Sequence, residues 1–300
     1  MSSPSARDGS DVAVAAPGEW QCNVFYQDDN GAVRQSIHNK GNWSHTTTPT
    51  FTAKPSSPLA AISFDGGKEV RVYCVSGEGY LEEYGYSSNK PGWWGGALNK
   101  LRFRVAAASK VAAVYWNDNR NIRVYVQDPD NKVQELVYDN SGGWRKGASL
   151  PVAQDGSSLA VVRWEKEGRS CLRVYYQARD SSTVKEHCYE NSKWFEGEFS
   201  IPDIPPYASI TAVVFRDAQA GVHLRVFLQD SSASIIAYHN DGGWVKQGAV
   251  VGPLRPGRRI AALEWREGTE LRVFYQADDN KIREQAQSNA GAWYKGEYEA

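Results

Sequence analysis

The chain has one methionine, four cysteines and a net charge of only −1 at neutral pH over 300 residues. Each shortage removes a class of protein. Lysine and arginine are spread evenly, so no basic face for nucleic acid is expected. No apolar run approaches the ~20 residues of a membrane span, so no membrane insertion is expected. The cysteines lack metal-ligand spacing, and His38, His45, His187, His223 and His239 are scattered, so neither a metal nor another cofactor is expected. No segment sustains a 3.6-residue apolar period, which argues against a helical fold. Residues 1–11 are rich in Ser, Gly and Asp and lack the apolar stretch of a signal peptide. They read as a disordered tail. The expected location is the cytoplasm, or outside the cell by a route without a classical signal peptide, with a cell or spore surface as one destination.

Tryptophan, tyrosine and glycine are plentiful instead, and they recur. A Trp follows a turn at Trp43, Trp93, Trp144, Trp194, Trp244 and Trp293, with successive gaps of 50, 51, 50, 50 and 49 residues. Upstream of each lies a phrase whose fullest form is Leu172-Arg173-Val174-Tyr175-Tyr176-Gln177. Its other copies start at Cys22, Val70, Ile122, Leu224 and Leu271. Before each phrase comes a small-residue run ending in or near an aromatic, such as Ala112-Ala113-Val114-Tyr115-Trp116. Gly, Asp, Asn and Ser turns separate these segments, as in Gln27-Asp28-Asp29-Asn30-Gly31. Four short strands per repeat, at roughly 40–50 residues each, is the signature of a β-propeller. The expectation is an all-β fold, a single six-bladed propeller over 12–300 with four antiparallel strands per blade. Its repeats fall at 12–50, 51–101, 102–150, 151–200, 201–251 and 252–300. The Ala-rich first strands suit a crowded central channel. The proline-containing runs at 48–49, 54–58, 201–206 and 252–256 are expected between blades.

Side chains alternate faces along a strand. Placing Arg173 opposite Glu186 in a hairpin sets Cys171 opposite Cys188 and Leu172 opposite His187. Arg173, Glu186, Cys171 and Cys188 then share one face, and Leu172 and Tyr189 the other. The two thiols become neighbours; a reduced pair is expected, with a disulfide as the alternative. The same parity holds for Arg71/Glu83, Arg123/Glu135 and Arg272/Glu284. One groove between blades would receive Arg and Glu from one blade, and an apolar residue, a Tyr and the turn Trp from the next. A guanidinium beside a carboxylate matches adjacent sugar hydroxyls, and an aromatic face covers the C–H face of a sugar ring. The competing reading is a cross-strand ion pair that merely stabilises the sheet by roughly 0.2–1 kcal/mol. Variation argues against it. Scaffold positions persist in all six repeats, whereas the pair becomes Asn23/Gln35 in the first and Arg225/Ile235 in the fifth.

The phrase Leu-Arg-Val-Tyr/Phe-Tyr-Gln, then Val-x-Glu-x-x-Tyr, then Gly-Trp-x-x-Gly, six times over, resembles the fungal fucose-binding lectins typified by the Aleuria aurantia lectin. The resemblance implies a multivalent, non-enzymatic homodimer that binds L-fucose and fucosylated glycans between blades. Carried over by position, three grooves match fully: Arg71 and Glu83 with Ile122, Tyr138 and Trp144; Arg123 and Glu135 with Leu172, Tyr189 and Trp194; Arg173 and Glu186 with Leu224, Tyr238 and Trp244. A fourth, closing the ring, joins Arg272 and Glu284 to Cys22, His38 and Trp43. The groove of Asn23 and Gln35 with Val70, Tyr86 and Trp93 lacks the Arg and is expected to be weak. That of Arg225 and Ile235 with Leu271, Gln287 and Trp293 is expected to be weakest.

Two other classes fit the repeats less well. A propeller glycoside hydrolase needs one asymmetric cluster of paired carboxylates, whereas these recur around a ring. A protein-interaction propeller would not require Arg, Glu, Tyr and Trp to recur together.

Overall fold

The computed structural model describes residues 5–117, 121–140, 142–179, 181–219 and 221–300. Six sheets, each built from consecutive antiparallel strands, stand as blades around a central channel. The first strand of each lines that channel: Val12–Gly18, Ala60–Phe64, Val111–Trp116, Leu159–Lys166, Ile210–Arg216 and Ile260–Trp265. Alanines such as Ala13, Ala61, Ala112, Ala160, Ala212 and Ala261 keep these strands slim where all six converge.

The second strands hold the ring together: Gln21–Gln27, Glu69–Val75, Asn121–Gln127, Arg169–Gln177, Val222–Gln229 and Glu270–Gln276. In each, a Val and the aromatic after it point to opposite faces, yet both are fully buried, as at Val124 and Tyr125. Every blade is therefore sandwiched by its neighbours. The aromatic of one blade packs on the Val of the next: Phe25 with Val72, Tyr73 with Val124, Tyr125 with Val174, Tyr175 with Val226, Phe227 with Val273. Phe274 then meets Val24, which closes the ring. Each such side chain is worth about 1.5–3 kcal/mol on burial.

The Gln that ends the phrase clamps the connection to the next blade. Gln127 Nε2 donates to the Gln154 carbonyl, Gln177 Nε2 to Ile204 and Gln229 Nε2 to Arg255. In the last blade Gln276 does the same to the N-terminal segment. Its Nε2 donates to the Arg7 carbonyl (2.6 Å), and its Oε1 accepts from Gly9 N (3.0 Å). Arg258, almost fully buried, adds an ion pair to Asp8 at 2.6 Å. Ala6 and Ser10 are buried. The expected tail 1–11 is thus, over residues 5–11, the connection between the sixth blade and the first. Residues 1–4 lie outside the described residues. Among the described residues no strand is exchanged between sheets.

Two further expectations change. Thr48-Pro49 does not lie between blades. It interrupts the first blade's outer edge, splitting it into Asn42–His45 and Phe51–Thr52, because proline cannot donate to the ladder. The hairpin register also differs by two residues. Arg173 stands opposite Cys188, and Tyr175 opposite Glu186, because the turn closes with Gln177 opposite Val184. A shift of two preserves every face assignment, but Arg and Glu become diagonal neighbours and Cys171 no longer faces Cys188. All four cysteines are free thiols, and burial pushes Cys188 up to about 12.

Deleting residues 1–9 should leave Arg258 short of a partner and Gln276 without its clamp. The expected cost is about 1–3 kcal/mol, read as a fall of several degrees in the thermal midpoint. An unchanged midpoint would show that this segment does not close the ring.

Candidate functional site: the grooves between blades

Each groove is assembled from two strands of one blade and the facing edge of the next. The carboxylate comes from the third strand and is almost completely buried in Glu83, Glu135, Glu186 and Glu284. Backbone amides of the outer edge hold it: Leu98 N on Glu83 (3.3 Å), Ala148 N on Glu135 (3.0 Å), Phe199 N on Glu186 (3.1 Å) and Tyr298 N on Glu284 (3.2 Å). The register adds Tyr125 Oη, which donates to Glu135 at 2.9 Å. The carboxylate is seated so closely against the Gly of Gly-Trp-x-x-Gly that a Cβ at Gly296 would lie 2.5 Å from Glu284 Oε2. Burial lifts the Glu83 and Glu284 carboxyls above the usual range, against the opposing pull of Arg71, Arg272 and the amides.

The arginine is held equally firmly. In five blades its Nη1 donates to the carbonyl of the preceding residue, between 2.8 and 3.0 Å for Arg71, Arg123, Arg173, Arg225 and Arg272. The guanidinium lies over the aromatic at or near the end of the first strand: Arg71 over Phe64 (5.3 Å), Arg123 over Trp116 (4.8 Å), Arg173 over Trp164 (4.7 Å), Arg225 over Phe215 (4.9 Å) and Arg272 over Trp265 (5.4 Å). A second carboxylate anchors its outer side: Glu69 on Arg71, Asp139 on Arg123, Glu190 on Arg173, Asp241 on Arg225 and Glu270 on Arg272. Sequence reasoning noticed the aromatics but gave them no role, and it missed the outer acids. Their place alternates between the residue two before Arg and the end of the third strand, so no single spacing marks them.

The neighbouring blade completes the groove. Its turn Trp meets the aromatic two residues after Arg edge-on: Trp93 on Phe25, Trp144 on Tyr73, Trp194 on Tyr125, Trp244 on Tyr175, Trp293 on Phe227 and Trp43 on Phe274, all at 5.8–6.3 Å. These contacts establish that every groove pairs a blade with the next one, including the ring-closing pair.

Between blades three and four, Arg123, Glu135, Leu172, Tyr189 and Trp194 line one cavity of about 340 Å³, together with Trp116. Arg123 Nε approaches Glu135 Oε1 at 3.5 Å. Donor and acceptor thus sit side by side, facing an apolar side chain and two rings of the next blade. Between blades two and three, Ile122, Tyr138 and Trp144 share one hydrophobic cluster with Tyr73. There Arg71 is drawn to Glu69 at 3.0 Å.

Between blades four and five the register corrects an assignment. Leu224 stands opposite Asn240, so Asn240 holds the place of Tyr189, while Tyr238 lies on the same face one pair further in. Phe199 fills against it, 4.5 Å from Trp244 and 5.6 Å from Tyr238. Glu186 Oε2 and Trp244 Nε1 are buried there without a hydrogen-bond partner.

In the fifth blade Ala237, and not Ile235, takes the carboxylate position, because Phe227 pairs with Ala237. Ile235 is fully buried core. Across from it, Leu271 pairs with Gln287. In the ring-closing groove Arg272 Nε binds Glu284 Oε1 at 2.9 Å. His38 reaches across to stack on Trp265 at 5.6 Å and tilts on Trp43 at 4.9 Å, while Cys22 is buried behind it. Between blades one and two, Asn23 and Gln35 keep a neutral version of the pair, Gln35 Nε2 donating to Asn23 Oδ1 at 2.9 Å. Their groove, with Val70, Tyr86 and Trp93, holds about 410 Å³. Pro17 stands where the other blades carry the aromatic platform, so Arg and its platform are lost together.

The fold and these repeated grooves define a propeller lectin. The family model for the fungal fucose-specific lectins matches residues 9–270 and 218–300, and the chain belongs to that family. It is similar to the fucose-specific lectin of Aspergillus oryzae, 31% identical over 263 residues covering 84% of this chain and 83% of that one. To the fucose-specific lectin of Aleuria aurantia it is 29% identical over 301 residues, 95% of this chain and 92% of that one. Among solved structures, the SapL1 lectin in complex with α-methyl fucoside superposes with a TM-score of 0.85 at 28% identity, over 99% of this chain and 96% of that one. The six-bladed Aleuria aurantia lectin gives 0.84 at 27%, over 98% and 97%.

Gly296→Ala should destabilise the fold by about 1–3 kcal/mol, because the added Cβ collides with Glu284. In a Glu284→Ala background the same change should cost much less. Chemical denaturation of the four proteins of this cycle measures the coupling, and additive losses would show that the glycine is not kept for the carboxylate.

Proposed function

We propose that this protein is a multivalent, non-enzymatic lectin that binds L-fucose and fucosylated glycans in the grooves between its blades. The observation that carries the reading is the groove between blades three and four. A fixed guanidinium and a fixed carboxylate meet Leu172, Tyr189 and Trp194 around one small open cavity. Arg123 and Glu135 supply a donor and an acceptor for neighbouring hydroxyls. The aromatic rings cover the C–H face of the sugar, and Leu172 suits the methyl of a deoxy sugar. The relatives support this reading: solved relatives include complexes with α-methyl fucoside and with Fucα1-6GlcNAc.

The grooves rank by what they retain. Those of Arg71/Glu83 and Arg123/Glu135 keep every element. That of Arg173/Glu186 has Asn240 in place of the Tyr. The ring-closing groove is crossed by His38. The amide groove of Asn23 and Gln35 is weaker, and that of Arg225, lacking a carboxylate, is weakest. A monosaccharide buries little surface, so each groove binds weakly alone. Several on one rigid ring, and twice as many in a homodimer, gain avidity on a glycan-coated surface.

Calorimetric titration with α-methyl fucoside should show three to five sites per chain. Arg123→Ala should remove one of them, by a loss of tenfold or more, without lowering the thermal midpoint by more than a few degrees. An unchanged site count, or an unfolded variant, would overturn the assignment. Acid should also reduce the count. Glu83 and Glu284 take up protons above the usual carboxylate range, so their grooves should lose sugar first as the pH falls. Stability responds with the opposite sign. The folded state holds protons on these two groups that the unfolded state has released, so they penalise the fold as pH rises through their folded values. That penalty vanishes in acid.

A further inference from the structure

At one mouth of the central channel the residues that precede the six first strands form a ring: Asp11, Leu59, Lys110, Ser158, Ser209 and Arg259. Lys110 belongs to the third blade and Arg259 to the sixth, which stand across the ring from each other. Their charges nonetheless interact: burial first, and Arg259 second, press the Lys110 ammonium down to about 8, with Asp11 pulling the other way and Lys54 adding to the depression. Among the described residues neither side chain makes a hydrogen bond or an ion pair, and Arg259 Nη1 is buried without any partner. The ring's one carboxylate is already engaged, since Asp11 accepts from Val12 N at 3.0 Å and Leu59 N at 3.1 Å. Two facing, partly desolvated cations that share one distant carboxylate and have no hydrogen-bonded or ion-paired partner of their own are costly. The cost disappears if an anion lies between them.

We propose that the central channel binds a small oxyanion, of the phosphate or sulfate class, between Lys110 and Arg259. The cavity lined by this ring and the first strands measures about 140 Å³, which admits a tetrahedral oxyanion and excludes an oligosaccharide. Arg259 presents a planar fork of donors and Lys110 a compact charge, the pairing that suits such a group. The bound ion ties the third blade to the sixth. No contact between neighbouring blades does this, because each blade packs only against the blades beside it. The site is also separate from the sugar grooves. Lys110 and Arg259 precede their strands, whereas the platforms Trp116 and Trp265 end them, six residues and roughly 20 Å away.

The test uses the full chain in a chloride buffer, with sodium phosphate, sodium sulfate and extra sodium chloride added at matched ionic strength. Phosphate and sulfate should raise the thermal midpoint saturably, and chloride should not. Lys110→Gln and Arg259→Gln should each weaken the apparent oxyanion affinity at least tenfold. Far-ultraviolet circular dichroism and α-methyl fucoside binding should match the parent protein in both variants. Sulfate, which does not titrate here, should bind more weakly above about pH 8 as Lys110 loses its proton, the other charged groups acting on it being Arg259, Asp11 and Lys54. A wild-type response to oxyanions no greater than to chloride overturns the proposal. So does an equal response in both variants, which would mark a general salt effect. If Arg259→Gln fails to fold, Lys110→Gln decides alone. Loss of fucoside binding by the parent would bear on the sugar reading and not on this one.

Discussion

The alternation of side chains along the second strand governs the rest of this molecule. A strand buried on both faces has no solvent side, so each consecutive pair of residues must satisfy two different neighbours. Val124 faces the second blade and Tyr125 the fourth. Because the period is two, Arg123 must share its face with Tyr125, and Ile122 with Val124. The polar half of one groove and the apolar half of the adjacent groove are therefore written in adjacent letters of one strand. A repeat of this phrase cannot make a blade without also making half of two grooves. The packing that closes the ring and the geometry that could receive a ligand have the same origin.

That coupling carries an energetic cost which the scaffold alone does not explain. Glu135 and Glu186 are carboxylates at less than a tenth of full exposure. The amides of Ala148 and Phe199 offset part of their desolvation. Burying a charge pair is seldom the most stable solution for a core, since apolar residues of similar volume often do as well or better. The fifth blade shows this directly, with Ala237 in the carboxylate position and the blade intact. Carboxylates kept where the fold can dispense with them, each diagonal to a guanidinium fixed by a carbonyl, a ring and a second acid, are a preorganised polar surface. The first blade supports the point from the other side. Once Asn23 replaces Arg, the aromatic platform has no cation to hold, and Pro17 stands in its place.

Much of this was legible in the sequence because repetition separates constraint from accident. Six copies distinguish the scaffold positions, Val and the following aromatic, from the variable ones. Strand parity then assigns faces without knowledge of the turn. What parity cannot supply is register, since a shift of two residues leaves every face unchanged. Parity therefore allows Arg173 opposite Glu186 as readily as opposite Cys188, and it cannot separate Tyr238 and Ile235 from Asn240 and Ala237, which hold the groove positions. The fifth blade's turn closes with Gln229 opposite Ile235, as Gln127 closes opposite Val133, and the fourth blade's is one residue longer, with Gln177 opposite Val184. The N-terminal segment misled for a different reason. Its composition is that of a free tail, but its role depends on Gln276, some 267 residues away from Gly9 along the chain. A contact between the two ends of a closed ring leaves no local trace.

Closure also explains why the grooves are unequal. In a ring of blades joined only to their neighbours, five interfaces form between segments that are consecutive in the chain, and one must form between its ends. The closing interface carries several direct polar ties: Arg258 to Asp8, Gln276 to Arg7, Trp265 Nε1 to the Gln21 carbonyl and Tyr298 Oη to Ser36. There the two blades are drawn together, and His38 stacks across the gap onto Trp265. The adjoining groove between blades one and two is the roomier one, at about 410 Å³ against about 340 Å³ between blades three and four. In the groove that also seals the ring, His38 occupies space between Trp43 and Trp265. The grooves that keep the full set of side chains, those of Arg71/Glu83 and Arg123/Glu135, lie among the middle blades, where the chain itself already holds neighbours together.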